Sequence, residues 1–378
     1  MTVIEAGLES LPQLVLQSIL FYLHPERINP YVFAFSAGCS LAGLSFAVYN
    51  FVSNYEEIMT VLGPPPELLP AGVLSEGFEA DAAAWRGGGR KAAQAKVQSS
   101  GNVGIRVALS PDASMLVGGG SAASRQVVTI YEPADASVVK VLSGTSKAVH
   151  CVATDGVHIA CGCQEGYMHV WTAEGEPVGE WPKEHSSAVA GIALLGDLLV
   201  SGGGDLMVKL WSVSARTCSA TLREHSGGVY AVAVTEEAIA TGSADKTARI
   251  WPLDGGASRH TLEHPDWVRA VAMAGDVLVT GCVDKVVRTF AVATGQRTRE
   301  LRGHTGLVST VALSGSMVVS GGGIDEQVKV WELTGEASAE CVATLEGHSD
   351  DVYGVVAGPD FVASQAWQDS QLIVWRPA

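Results

Sequence analysis

Charge is scarce in this chain, and positive charge is scarcer. Asp, Glu, Lys and Arg make up 17% of its 378 residues, with 24 Lys and Arg against 40 Asp and Glu, a formal net charge of −16. A nucleic-acid partner needs a basic face to meet phosphate, so that class is excluded. A disulfide framework is missing as well. The seven cysteines, Cys39, Cys151, Cys161, Cys163, Cys218, Cys282 and Cys341, are odd in number and scattered in spacing, which fits free thiols in a reducing compartment. Cys161 and Cys163 are the one close pair, and no His or Cys cluster completes a zinc set around them, so no metal is expected. The chain lacks a glycine-rich phosphate loop of the right form: "SSGNVG" at 99–104 is too short to count. No cofactor is therefore expected. No basic stretch precedes the first apolar run, which argues against a signal peptide.

What the chain has is glycine, 43 residues of it, and a repeat. The runs "VTIY", "MHVW", "VKLW", "ARIW", "VRTF", "VKVW" and "LIVW" end at Tyr131, Trp171, Trp211, Trp251, Phe290, Trp331 and Trp375. Their period of about 40 residues, with strand-like runs between glycine turns, predicts a propeller of four-stranded blades. A polar set keeps step with it. His185, His225, His264, His304 and His348 each precede a hydroxyl residue by 16 positions: Ser201, Thr241, Thr280, Ser320 and Ser364. A carboxylate, Asp205, Asp245, Asp284, Asp325 or Asp369, lies six residues before the aromatic. Histidine, hydroxyl and carboxylate are the side-chain types of a hydrolase triad. An active site occurs once, whereas this set occurs five times, so it reads as architecture: an Asp holding a neutral His, which holds a hydroxyl and the Trp N–H of a buried corner. No catalytic residue is assigned and no enzyme is expected.

These residues resemble the WD-repeat family over roughly 95–378. "GHTGLV" at 303–308 and "GHSDDV" at 347–352 match its Gly-His element, and "EHSSAV", "EHSGGV" and "EHPDWV" are variants; the Trp-Asp dipeptide is degraded to Trp-Ser, Trp-Pro, Trp-Glu, Trp-Thr and Trp-Arg. Seven aromatics imply an all-β fold of seven blades. Two blades depart from the pattern. The second has Thr145, Cys161 and Glu165 at the polar positions, and the first has neither His nor Asp there. Only Arg376, Pro377 and Ala378 follow the last aromatic, so the final blade lacks an outer strand. "AAQAKVQSS", 92–100, is expected to supply it and close the ring. The resemblance implies a protein-binding face lined by His150, Ala190, Tyr230, Arg269, Ser309 and Tyr353 and by Gly204, Ala244, Val283, Ile324 and Gln368. Trp267 and Trp367 lie beside these positions. Tyr, Trp and Arg dominate interface hot spots, which selects Tyr230, Trp267, Arg269, Tyr353 and Trp367 as the candidate partner site.

Residues 1–60 share nothing with the repeats. From Ile28 to Tyr55 no residue is charged, long enough for a bilayer-spanning helix. Ser36, Ser40, Gly43 and Ala47 fall on one helical face suited to close packing in lipid. The shorter apolar run 5–23 carries Glu9, Gln13 and Gln17 as a polar stripe. A two-helix membrane segment is the expectation. "ESLPQLVLQ" followed by "SLAGLSFAVYNF" resembles a fragment of the XK-related membrane proteins. Those are linked to lipid scrambling but need many more helices, so scrambling is not expected here. Alternatively, "LPQLVLQSILFYLHPERI", 11–28, resembles the start of an F-box, which implies a substrate receptor of a ubiquitin ligase. The uncharged continuation favours membrane. Residues 61–94, rich in Pro, Gly and Ala, read as a flexible linker. The whole reads as a helical membrane segment at 1–60, a linker at 61–94 and a propeller at 95–378. The expected work is non-catalytic scaffolding of protein partners, membrane-associated with a cytoplasmic propeller; the alternative is a soluble cytoplasmic protein.

Overall fold

The computed structural model describes residues 82–378 apart from 97–106, 123–124, 143, 146, 180, 334–338 and 368–370. The chain divides into two compact units, 1–73 and 74–378, and the described residues all belong to the second. The membrane and F-box expectations fall on 1–60, outside the described residues. Among the described residues no helix is long and apolar enough to cross a membrane.

Seven antiparallel sheets follow one another along the chain; in six the strands pair in sequence order, and the seventh takes its outer strand from before the first blade. Blade 1 holds Val107–Leu109, Leu116–Ala122, Arg125–Tyr131 and Val138–Leu142, and blade 2 holds Val149–Thr154, His158–Cys163 and Met168–Thr172. Blade 3 holds Val189–Leu195, Leu198–Gly203, Val208–Ser212 and Thr217–Leu222; blade 4 holds Val229–Val234, Ile239–Ser243, Thr247–Trp251 and His260–Glu263. Blade 5 is Val268–Ala274, Val277–Cys282, Val286–Ala291 and Arg297–Arg302; blade 6 is Val308–Ser314, Met317–Gly322, Val328–Glu332 and Glu340–Leu345. Blade 7 is Val352–Ala357, Val362–Ala366 and Gln371–Pro377, completed on its outside by Gly89–Lys96. The first strand of every blade faces a central channel of about 1020 Å³, and none of the described residues lining it is charged.

The closing strand pairs antiparallel with the last one, from Gly89 opposite Pro377 to Lys96 opposite Gln371. It starts three residues before the expected 92–100. Residues 89–94, expected in the linker, therefore belong to blade 7. A large apolar anchor hides in that Gly/Ala-rich stretch: Trp85, in the 3-10 turn Ala82–Gly87, is 1% exposed and packs into the core shared by blades 6 and 7 with Val330, Leu345 and Trp375. Burying one indole offsets much of the entropy of ordering a short, small-residue strand.

The glycines mark the seams between blades. A Cβ on Gly202 of blade 3 would come within 2.5 Å of a Val229 methyl on blade 4, and one on Gly321 of blade 6 within 2.7 Å of Val352 on blade 7. Gly162 and Gly242 meet Val189 and Val268 in the same way. Each hole takes the next blade's valine, so the second strands keep Gly at the cost of strand propensity. Blade 7 has Gln365 in that place, fully buried, with neither amide atom hydrogen-bonded.

Blade 2 has three regular strands, and the reason is local. The leucine that ends the outer strand in other blades, such as Leu222 or Leu345, is replaced by Pro182. Proline cannot donate to the ladder. Among the described residues the outer segment is attached at its start, through Thr172 N–H to Glu176 O and Val178 N–H to Val170 O.

Candidate functional site

Two kinds of site were expected, the repeated corners and the partner face. The corners are hydrogen-bonded chains. In blade 3, Trp211 Nε1–H donates to Ser201 Oγ at 2.8 Å, Ser201 meets His185 Nε2 at 2.8 Å, and His185 Nδ1 meets Asp205 at 2.9 Å. In blade 4 the chain is Trp251 to Thr241 at 2.9 Å, Thr241 to His225 at 2.7 Å and His225 to Asp245 at 2.7 Å. In blade 6 it is Trp331 to Ser320 at 2.8 Å, Ser320 to His304 at 2.7 Å and His304 to Asp325 at 2.8 Å. In blade 7, Trp375 and His348 both meet Ser364 at 2.7 Å; Asp369 lies outside the described residues. A carboxylate only accepts, so the imidazole carries its proton on Nδ1 and receives the hydroxyl proton on Nε2. Each polar group of the buried corner is satisfied by a neutral histidine.

The electrostatics agree with that assignment. Burial alone would raise the Asp325 carboxyl, but hydrogen bonds from His304 and from the Thr305 and Gly306 N–H groups outweigh it and bring it down to about 2. Asp245 is lowered for the same balance of reasons, with Thr247 and Ser226 as further donors.

Blade 5 spells the same letters and is wired differently. His264 Nε2 meets Thr280 at 2.9 Å, but Nδ1 donates to the carbonyl of Leu262 at 2.9 Å. Asp284 is held by Arg288 through two contacts of 3.0 and 2.5 Å. Phe290 has no N–H to offer. The four residues are neighbours, but the carboxylate is not joined to the imidazole. Burial, helped by the charge of Arg288, outweighs the Leu262 carbonyl and the charge of Asp284 and pushes His264 down to about 4. In blade 2, Cys161 and Cys163 sulfurs lie 3.7 Å apart inside the core, and Glu165 pairs with Lys147 at the surface. Among the described residues no group of three or more His, Cys, Asp or Glu side chains is placed to hold a metal.

The partner-face residues come together. In the inner strands of blades 2 to 7 the second residue is the extra residue of a β-bulge. The ladder skips from Val229 to Ala231, from Val268 to Ala270 and from Val352 to Gly354. A bulge re-aims the side chain it displaces, and those displaced here are Tyr230, Arg269 and Tyr353. The Arg269 guanidinium lies 5.3 Å from the Tyr230 ring centre and 5.8 Å from that of Tyr353. It thus spans blades 4 to 7. Ser309, the blade 6 equivalent, leaves room because it is short and buried, its one hydroxyl proton shared between the carbonyls of Gly321 and Val352. Trp267 stacks on Tyr230 with ring centres 6.2 Å apart, and Trp367 packs on Tyr353 at 4.9 Å. Trp267 is 42% exposed, and Ile324 on the blade 6 turn is 76% exposed. Asp351 was not among the candidates. It accepts from the Tyr353 hydroxyl at 3.5 Å, and burial followed by the charge of Asp350 raises its carboxyl. Its signal in the sequence is the paired carboxylate of "GHSDDV".

Comparison with known proteins bears on the fold. Residues 136–172, 216–252 and 295–332 match the family model described as WD domain, G-beta repeat. Each matched stretch runs from the outer edge of one blade to the aromatic of the next, the same offset seen in the sheets. No curated protein sequence matches the chain. Among solved structures, the crystal structure of the computationally designed Ika8 protein is similar, with a TM-score of 0.59 and 19% identity over 76% of this chain and 100% of that one. Identity that low speaks for the fold alone. The sheets make residues 107–378, closed by Gly89–Lys96, a seven-bladed β-propeller, and three stretches of it match the WD40 repeat.

Proposed function

We propose that this propeller is a protein-interaction scaffold whose partner site is the cluster of Tyr230, Trp267, Arg269, Tyr353 and Trp367. One observation carries the reading: residues from three separate blades converge on the channel mouth as stacked aromatics around an arginine, with an indole left exposed. Rigid aromatic and arginine anchors of this kind supply most of the energy in protein interfaces. The corners do not compete for the role. Ser201, Thr241, Thr280, Ser320 and Ser364 are all 0% exposed, so no substrate reaches those hydroxyls. Scaffolding follows from a rigid ring offering this face.

The test is capture of partners by the full chain beside Tyr230→Ala and Trp267→Ala variants that keep the wild-type near-UV circular dichroism. Proteins bound by the wild type and lost by both variants support the site; an unchanged set of captured proteins removes it. The uncharged stretch 28–55 supports a second element of the proposal, a membrane tether through residues 1–60. Its measurement is carbonate extraction of the full chain beside a chain that begins at Leu74, which keeps Trp85 and the closing strand. Release of both into the supernatant ends the tether proposal.

A further inference from the structure

We infer that the channel-mouth cluster receives a single carboxylate, the side chain of an Asp or Glu set in an otherwise apolar segment of the partner protein, and that Arg269 pairs with it; this rests on the reading of the cluster as the partner site. The two tyrosine rings hold the guanidinium in place without using its N–H groups. Among the described residues Arg269 makes no hydrogen bond or ion pair, and its Nε is buried without an acceptor. Other arginines of the ring are paired: Arg249 with Glu224, Arg288 with Asp284, Arg376 with Asp360. The chain has 40 acidic residues, yet the arginine at the channel mouth is left unpaired. Arg249 and Arg288 also leave Nε without a hydrogen bond, but each has a carboxylate on its other nitrogens, and Arg269 has none. An arriving carboxylate satisfies it with the planar, two-point geometry that a guanidinium favours.

The surroundings limit the visitor to one charge. Asp351 is turned to the Tyr353 hydroxyl, and Asp266 to the Trp267 N–H and, at 3.8 Å, to Lys246. Asp351 adds negative potential beside Arg269, so a dianionic phosphate or a run of acids is repelled where one carboxylate is held. Trp267 and Ile324 offer exposed apolar surface on the same face. The complementary ligand is therefore an acid flanked by apolar side chains.

The experiment is selection of a displayed random linear peptide library on the full chain and on Arg269→Glu, followed by binding of individual peptides to wild type, Arg269→Gln, Arg269→Lys and Trp267→Ala. The expected result is enrichment of one Asp or Glu at a fixed place among apolar residues. Binding then falls about 100-fold in Arg269→Gln and by less in Arg269→Lys, and the enriched charge becomes Lys or Arg on Arg269→Glu. Peptides without an acid, phosphate-like acidic runs, or acidic peptides that bind Arg269→Gln as well as wild type overturn the inference. If such peptides still lose binding in Trp267→Ala, the partner site stands and only its chemistry is wrong. If no selected peptide depends on Trp267 or Arg269, both readings fall.

Discussion

In blade 4, His225 is held between Asp245 and Thr241, and Trp251 completes the chain. In the neighbouring blade 5, His264 reaches Thr280 but gives its other nitrogen to the carbonyl of Leu262. The two corners differ by one residue of loop. His225 stands three residues after the leucine that ends the preceding outer strand, Leu222, and His264 stands two after its counterpart, Leu262. The shorter loop draws the imidazole back onto its own strand. Asp284, released, is taken by Arg288, itself 3% exposed and in need of a counter-charge. A shared set of letters does not ensure a shared hydrogen-bond network; loop length decides which donor meets which acceptor.

The largest expected effect comes from cutting the blade 4 network. Asp245 accepts from His225, from the Ser226 and Thr247 N–H groups and from the Thr247 hydroxyl. Asp245→Ala should cost about 3–4 kcal/mol in urea unfolding, because several charge-assisted bonds go together. A double-mutant cycle of Asp245 with His225 should give a coupling of about 1–3 kcal/mol, and the cycle of Asp284 with His264 less than about 0.5 kcal/mol. Equal couplings would mean that the two corners are wired alike after all.

The next effect is in acid. An unfolded histidine takes up its proton near pH 6.5, whereas folded His264 does so only at about 4. Between those values the unfolded chain binds the extra proton, so stability is complete above about 6.5 and is lost as pH falls toward 4. The loss is on the order of 3 kcal/mol. The carboxylates of the hydrogen-bonded corners act lower. Asp325, with a folded value of about 2, loses its contribution only as pH falls from about 4 toward 2. Burial lowers His185 of blade 3 as well, so both corners weaken in mild acid, blade 5 with the larger shift. His264→Asn, followed by urea unfolding from pH 7 to 4, should flatten that part of the profile; an unaltered slope would place its origin elsewhere.

A smaller change makes blade 4 resemble blade 5 at its aromatic. Trp251→Phe removes the N–H that reaches Thr241 and leaves the hydroxyl bonded to His225. The expected cost is about 1 kcal/mol, read as a lower urea midpoint with an unchanged slope.

How much of this was open to reading in the chain varies by feature. The seven blades were legible, because an aromatic recurring about every 40 residues carries the ring almost by itself. The blade 5 rewiring was also written there, in the spacing of Leu262 to His264 and in Arg288 four residues after Asp284. It stayed hidden because spacing was counted forward from the histidine, where blade 5 is regular. The closing strand was expected slightly late, since Trp85 sits in a stretch whose composition is that of a tether. The grip of Tyr230 and Tyr353 on Arg269 was not legible. It depends on bulges that turn side chains from separate blades onto one point, and on Ser309 leaving the space between them.

The smallest expected effect on stability separates the face from the corner beside it. Trp267 follows the His264 corner by three residues, yet its indole is 42% exposed and stacks on Tyr230 outside the corner's hydrogen-bonded chain. An exposed side chain outside the hydrogen-bonded network contributes little to folding, so Trp267→Ala should shift unfolding by no more than about 0.5 kcal/mol. The same indole is the most accessible anchor of the proposed partner site, and hot-spot aromatics cost at least about 2 kcal/mol of binding when truncated. Partner affinity should therefore fall by more than tenfold while the urea midpoint holds. If the midpoint falls with the affinity, Trp267 belongs to the corner's packing and the face begins elsewhere. If neither moves, the exposed indole is incidental, and the weight of the site passes to Tyr353, Trp367 and Arg269.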